Sequence, residues 1–300
     1  MRSRYHSGEL EVQKRAGVRS IASRMENGIH STIPLIAQEF LRNQPMAILA
    51  TLDKSGRVWA SLLIGEPGFM QIIDERTVRI NATPITGDPL IENLKVGNDV
   101  GMLVIEFATR RRMRLNGKVE MRPDGIYINT MQVYANCPKY IQAREWKESA
   151  YQRCATTSIK QNRLLTAEQK HLITEADTFF IASFHQEGGA DASHRGGYPG
   201  FVRISNENLL IWPDYSGNGM FQTLGNISAN PNCGLLFIDF EYGNTLQITG
   251  RAKIVWDKER ASEIVGAERL VEFQIEQVIE IEGANLLGWR FIDYSKFNPA

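Results

Sequence analysis

Ala192–Asn226, ASHRGGYPGFVRISNENLLIWPDYSGNGMFQTLGN, combines an Arg-Gly-Gly turn, a Pro-Gly corner, two strand-like runs and a Gly-Asn-Gly turn leading into a helix-like segment. Glycine lets backbone approach a neighbour closely. Arg195 and Arg203 offer charge-assisted hydrogen bonds, and a helix opening near Gly219 would present free N–H groups to an anion. The stretch therefore suits a phosphate attached to a flat ring. Its glycines and prolines also read as plain hairpin turns with no ligand.

The same phrase occurs earlier in the chain. Ala60-Ser61 matches Ala192-Ser193 and Pro67-Gly68-Phe69 matches Pro199-Gly200-Phe201, both at an offset of 132 (192−60 and 199−67). Asn93 with Asn226, Gly101 with Gly234, Phe107 with Phe240 and Gly117 with Gly250 follow at 133 (226−93 and 250−117), so one inserted residue separates the two sets. The chain is thus two copies of one β-rich unit, roughly residues 43 to 121 and 176 to 256. The period is too long and the copies too few for a solenoid, and many short strands with turn signals between them predict two barrels. The copies differ where charge matters. His194, Arg195 and Gly196 fall on Leu62, Leu63 and Ile64 of the first copy, so an anion held by this turn is expected in the second barrel.

Around these copies the chain divides into four parts. Residues 1–42 read as a helical lead-in, with Leu10, Val12, Val18 and Ile21, then Ile33, Ile36, Ala37, Phe40 and Leu41, at roughly helical spacing and a break near Asn27-Gly28. Residues 43–135 hold the first, degenerate copy, opening on the hairpin MAILATLDKSGRVWASLLI. Residues 136–175 read as a helical linker, with Thr166 and Gln169 forming a capping box. Residues 176–300 hold the second copy and a tail in which Trp289 and Arg290 could lie over a ring.

Composition narrows the function. Lys+Arg 34 balance Asp+Glu 34, so no global field draws the chain to nucleic acid or a membrane surface, and a small-molecule ligand is the expected partner. The N-terminus lacks an apolar signal-peptide core and the run CGLLFI is too short to span a bilayer, which predicts a soluble, cytoplasmic protein. Cys137, Cys154 and Cys233 form no C-x-x-C pair, and the five histidines show no zinc-like spacing, so no metal is expected. Gly217-x-Gly219 with Asp239 imitates a dinucleotide fingerprint but lacks the third glycine and a βαβ context. Arg110, Arg112 and Arg114 would share one face of a strand, either solvated or turned across the barrel interface towards a ligand. His194 is the candidate proton donor, with a ring that only holds the turn as the alternative, and Cys137, in NCPKY, reads either as a residue brought beside the ligand by the Pro-fixed turn or as a small buried hydrophobe.

The order ASHRGGYPGFVRI, LLIWPDYSGNGMFQTLGNISANP, GLLFIDFEYGNTLQITGRA, with QPMAILATLDKSGRVWASLL, GEPGF and TRRRMRLNG in the first copy, resembles the pyridoxamine 5′-phosphate oxidase-like family of FMN-binding split β-barrels, its tandem-barrel members above all. The resemblance covers about Gly8 to Pro299. It implies a mainly β fold of tandem split barrels with flanking helices, FMN as cofactor and a homodimer with flavin at a barrel seam. It also implies an FMN-dependent oxidoreductase acting on an unidentified small molecule, the alternative being a non-catalytic flavin- or haem-binding barrel. Carried over by position, the flavin would be held by Arg195, Gly196, Gly197, Phe201 and Val202 on one element and by Asp214, Asn218, Met220 and Thr223 on the next, with Phe201, Trp212 or Tyr215 as ring faces. Two positions that are basic in the oxidases themselves fall near Asn206 and Thr223 here, both uncharged, and the C-terminal Trp and Arg pattern is echoed loosely by Trp289-Arg290.

Overall fold

β-Branched, aliphatic and aromatic residues fill both copies and favour pleated, half-buried backbone. The computed structural model describes residues 3–147, 158–284 and 287–299. Three helices lead in: α1 (Ser7–Arg15), α2 (Arg19–Met25) and α3 (Leu35–Arg42). The first copy then runs β1 (Met46–Leu52), β2 (Val58–Ile64), β3 (Met70–Asp74), β4 (Thr77–Ile80), α4 (Leu90–Val96), β5 (Asp99–Glu106), β6 (Arg111–Arg122) and β7 (Gly125–Ala135). After β8 (Ala143–Lys147), β9 (Ile159–Asn162) and α5 (Ala167–Glu175), the second copy repeats the series. Its elements are β10 (Thr178–His185), β11 (Gly189–Gly196), β12 (Arg203–Asn206), β13 (Leu209–Tyr215), α6 (Gln222–Ala229), β14 (Asn232–Ile238), β15 (Thr245–Val255), α7 (Lys258–Ser262) and β16 (Ala267–Ile281), and β17 (Gly288–Asp293) ends the chain.

The two sheets have one topology. Strand order is β2-β1-β5-β6-β7-β4-β3 in the first and β11-β10-β14-β15-β16-β13-β12 in the second, with β9 added beside β16. Register agrees as well: Ala50 lies opposite Ala60 and Gly101, and Ala182 opposite Ala192 and Gly234. Each copy carries a bulge at the repeated glycine, between Asn116 and Gly117 and between Thr249 and Gly250. A Cβ at Gly117 or Gly250 would strike the carbonyl oxygen of Asn129 or Gln274 on the next strand, which accounts for both glycines.

Each barrel has its own interior. Leu49, Leu63, Val78, Met102 and Leu115 fill the first, and Phe179, Ile181, Trp212, Phe237 and Phe273 the second. A further apolar cluster joins the barrels, in which Ile48, Ala50, Ala60 and Leu103 meet their repeat equivalents Phe180, Ala182, Ala192 and Leu236. Strands β1 and β10 are therefore buried on both faces, one towards their own barrel and one towards the other. Burying Ile48, Leu103, Phe180 and Leu236 contributes roughly 6–12 kcal/mol, at about 1.5–3 kcal/mol each before the entropy of ordering. Two glycines set how close the barrels come. A Cβ on Gly101 would lie 2.6 Å from Asp191 Cα, and one on Gly234 would lie 2.6 Å from the Val58 carbonyl oxygen. Gly101 meets Ala190 and Asp191, and Gly234 meets their equivalents Val58 and Trp59 (190−132 and 191−132), so the contact is reciprocal about a pseudo-twofold axis.

The lead-in packs on the second barrel through α1. Gly8 and Gly225 meet backbone to backbone, and Gln13 Nε2 donates to the Met220 carbonyl. In the interval 136–175 only Ala167–Glu175 is helical among the described residues, with Thr166 and Gln169 capping each other's backbone. The interval reads as a helical linker from sequence, but β8 and β9 form in it by pairing with remote partners, β8 with β17 and β9 with β16. Part of that interval, with Cys154, lies outside the described residues. Among the described residues no helix is long and apolar enough to cross a membrane.

Candidate functional site

Strand β11 ends in Ser193, His194, Arg195 and Gly196, paired to β10 with Phe180 opposite His194 and Phe179 opposite Arg195. Alternation along a strand separates His194 from Ser193 and Arg195. Across the seam β6 of the first copy brings Arg112 and Arg114. Arg110 is not on that strand: it sits in the preceding turn at φ 56 and donates to the carbonyl oxygens of Ile141 and Tyr294. The cleft between the copies has a volume of about 70 Å³ and is lined by Arg112, Arg114, His194, Arg195, Asp214 and Asn218, with Lys139, Tyr140 and Tyr215. Tyr140 and Tyr215 lie with ring centroids 5.1 Å apart.

Most of the charge here is paired. Arg114 Nη1 holds both oxygens of Asp191 at 3.1 and 2.9 Å, and its Nη2 donates to Ser193 Oγ at 2.5 Å. Asp191 also accepts from Asn116 Nδ2, Tyr134 OH and Thr223 Oγ1, at 3.1, 2.9 and 3.4 Å. Arg269 Nη1 bonds Asp214 at 2.5 Å, while burial pushes the Asp214 carboxyl up from its ordinary value. Arg195 differs: among the described residues its guanidinium has no hydrogen-bond or ion-pair partner. Burial pushes its pKa down, with Arg114 acting in the same direction and Asp214 against it. An inward cation without a counterion is the signature of a site for an anion.

His194 is fixed by Arg112. Arg112 Nη1 contacts His194 Nδ1 at 2.9 Å and Arg112 Nε donates to the Cys137 carbonyl at 3.1 Å. Arginine has no acceptor, so Nδ1 must supply a lone pair and the proton sits on Nε2. Burial, reinforced by Arg112, pushes the His194 pKa well below 6.5, so the ring is a neutral donor. Its Nε2 is buried and has no partner.

The structure gathers His194, Arg195, Gly196, Phe201, Asp214 and Asn218 around this cleft. Gly197, Val202, Met220 and Thr223 lie elsewhere. A Cβ on Gly197 would come within 2.7 Å of the Phe201 ring, so that glycine makes room for a side chain of its own barrel. Val202 belongs to the second barrel's interior and Met220 to a cluster with Tyr5 and Tyr134. Thr223, in the first turn of α6, faces Asp191, so the chain's own carboxylate takes the place expected for an anion at that helix end. Trp212 is 1% exposed inside the barrel rather than over a ring. The run of arginines in TRRRMRLNG already pointed to Arg112 and Arg114. Asp191, Asn116 and Tyr134 carried no local signal, because their role arises only when the copies meet.

The chain matches the profile of a family described as Pyridoxamine 5′-phosphate oxidase over residues 36–155 and again over 165–283. The chain belongs to the pyridoxamine 5′-phosphate oxidase family. No curated protein sequence matches it. Three solved structures that match each span about one copy. HupZ of Group A Streptococcus is 16% identical, covering 40% of this chain and 97% of its own with a TM-score of 0.33. A protein described as a putative pyridoxamine 5′-phosphate oxidase, from Lactobacillus delbrueckii, is 16% identical over 39% of this chain and 94% of its own, TM-score 0.32. HutZ of Vibrio cholerae, described as a heme storage protein, is 15% identical over 40% and 95%, TM-score 0.29.

FMN, which a pyridoxamine 5′-phosphate oxidase fold suggests, can be tried against these residues. The phosphate suits the unpartnered Arg195 with Arg112 and Lys139 beside it. The ring is less well provided for, since about 70 Å³ is far below the roughly 300–1,000 Å³ of an ordinary ligand pocket. The cleft as it stands can take an anionic end but does not enclose a three-ring system.

Proposed function

We propose that this chain is an FMN-dependent oxidoreductase acting on a small organic molecule, with the cofactor's phosphate held at Arg195 between the barrels. The observation that carries the reading is the partnerless, inward-facing guanidinium of Arg195, which stands where the first copy has the fully buried Leu63. FMN supplies two-electron redox chemistry when bound. The chain's residues bind and orient: Arg195 gives the charge-assisted donors, Arg112 fixes the His194 ring, and His194 holds a proton at Nε2 for an acceptor beside it. Both walls come from one chain, Arg112 and Arg114 from the first copy and His194 and Arg195 from the second. A homodimer is therefore not needed to complete the cleft, and gel filtration of the FMN-loaded protein checks this.

The rival is a haem-binding barrel, the reading that the description of HutZ invites. An imidazole ligates iron through a nitrogen lone pair. With Arg112 donating to Nδ1, His194 has its proton on Nε2 and no lone pair free, which favours flavin. The visible spectrum of the isolated protein tests the choice. Flavin bands, release of FMN on denaturation and anaerobic bleaching by NADPH support the proposal. A Soret band, or a colourless protein that fails to bind added FMN, refutes it.

A further inference from the structure

Two of the segments that line the Arg195 cleft are bonded to each other. Cys137, Lys139 and Tyr140 follow β7, and Tyr215, Gly217 and Asn218 lead from β13 towards α6. Tyr140 Oη donates to the Ser216 carbonyl at 2.8 Å, Lys139 Nζ donates to the same oxygen at 3.4 Å, and the Tyr140 and Tyr215 rings stand 5.1 Å apart. The two sides are held differently. Tyr140 lies in the left-handed region at φ 66, its N–H donating to Ser295 Oγ at 3.2 Å and its carbonyl accepting from the buried Gln142 Nε2 at 3.1 Å. Gly196 makes room for that carbonyl, which a Cβ there would meet at 2.1 Å. A non-glycine backbone in this region persists only where its surroundings impose it, and such positions cluster at ligand clamps and switches. The turn opposite is loosely held: Ser216 and Gly217 are exposed, and a Cβ on Gly217 would meet nothing within 4 Å.

We propose that Ser216–Gly219 is a gate closing on Tyr140 as a fixed post, so that the shut cleft admits only an anion and a ring-bearing ligand enters after the Tyr140–Ser216 bond breaks. Volume gives the first reason, because about 70 Å³ is too little for such a ligand although the cations at the base suit its anionic end. The second lies in where the bonds are. The ion pairs Arg114–Asp191 and Arg269–Asp214 are buried, whereas both bonds to the Ser216 carbonyl are at the surface, where water replaces them at little cost. Opening therefore loosens the rim and leaves the floor intact. Burial pushes the Tyr140 hydroxyl up to about 12, so it remains a donor at neutral pH. Since the shut form excludes the ring, the latch competes with the ligand, and apparent affinity is reduced in proportion to the fraction of molecules standing open. For flavin this rests on the phosphate lying at Arg195; the gate itself does not.

Tyr140→Phe keeps the ring and removes the latch donor. Cys137 reports opening without any cofactor, because it lines the cleft with Sγ 3.9 Å from Arg112 Nη2. In a Cys154→Ser background the remaining thiols are Cys137 and the fully buried Cys233, and dithiobis(nitrobenzoate) labels them. Labelling of Cys137 should quicken about two- to tenfold in Tyr140→Phe, and FMN should bind tighter by about the same factor through a faster stopped-flow on-rate. A tyrosine that merely contacts the ligand predicts weaker binding instead. Cys137 labelling at the wild-type rate, FMN bound no tighter by the variant, or Cys233 labelling quickened by the same factor would each overturn the gate. If neither protein binds FMN, the flavin reading fails and thiol labelling alone decides the gate.

Discussion

Replacing Arg195 by leucine separates a ligand-binding cation from a structural one, because the two roles predict opposite effects on the unliganded protein. Arg195 has no internal partner and sits beside Arg112 and Arg114, so its charge is a burden until an anion arrives. At about 1.5–3 kcal/mol for each hydrogen bond to a charged group, two bonds to a phosphate amount to about 3–6 kcal/mol. Since about 1.4 kcal/mol is tenfold in Kd, Arg195→Leu should weaken FMN at least about a hundredfold. Leucine fits the barrel geometry, as the fully buried Leu63 occupies the equivalent position. The unliganded Tm should hold or rise. Quenching of FMN fluorescence on titration reads the first quantity and a thermal melt without FMN the second. An unchanged Kd refutes the placement of the phosphate, and a fall in unliganded Tm of more than about 4 °C, roughly 1 kcal/mol or more for a protein of this size, refutes the claim that Arg195 is unpartnered.

Gly234→Ala should destabilise the protein by about 1–3 kcal/mol or more, because its Cβ would lie 2.6 Å from the Val58 carbonyl and 2.8 Å from Trp59 Cα, both backbone atoms of the other barrel. Gly217→Ala, with nothing within 4 Å, should be neutral to within about 0.5 kcal/mol in the same denaturation series. Asp191→Asn leaves Arg114 buried and unneutralised and should cost about 3–5 kcal/mol, measured by urea unfolding. The last prediction concerns pH. Burial raises Glu9 from 4.5 to about 8, against the His6 backbone hydrogen bond, with Asp191 and Glu26 also raising it and Arg114 lowering it. The folded state then holds more protons than the unfolded state between those values, so stability present below pH 4.5 is lost as pH rises through 8. His6, lowered by burial to about 4, works in the opposite sense up to 6.5, and Asp88, raised by burial to about 7, works with Glu9 up to that value. Wild type should therefore lose up to about 1.4 kcal/mol per pH unit relative to Glu9→Gln between pH 7 and 8; parallel pH profiles would contradict the assignment.

Much of the fold was legible because it is written twice. Gly101 with Gly234 and Gly117 with Gly250 mark backbone-to-backbone contacts and bulges that each copy needs separately, so the repeat could be seen at a distance of 133 (234−101). Alternation along strands was less informative. In β1 and β10 both faces are buried, and nothing local says which faces the barrel interior and which the seam. Trp212, offered as a ring face, lies on β13 and packs inside its own barrel. Strands β8 and β9 were hidden because a strand is made by its partner, and theirs lie in the tail and in β16. At the cleft, Arg195 stood out through its contrast with Leu63. Asp191 did not, because its ligands Asn116, Tyr134 and Arg114 belong to the other copy.

The β8–β17 ribbon reaches both copies at once, its Trp289 ring standing edge-on to Phe107 at 5.3 Å and to Phe240 at 5.6 Å. In an assembly of two identical chains, anything placed on the rotation axis must itself obey that rotation, so a single ribbon of two unlike strands cannot sit there. Joining the two halves into one polypeptide lifts that requirement. A single, lopsided lid becomes possible, and the halves beneath it are then free to evolve unequal hollows, one of about 160 Å³ and the other of about 510 Å³.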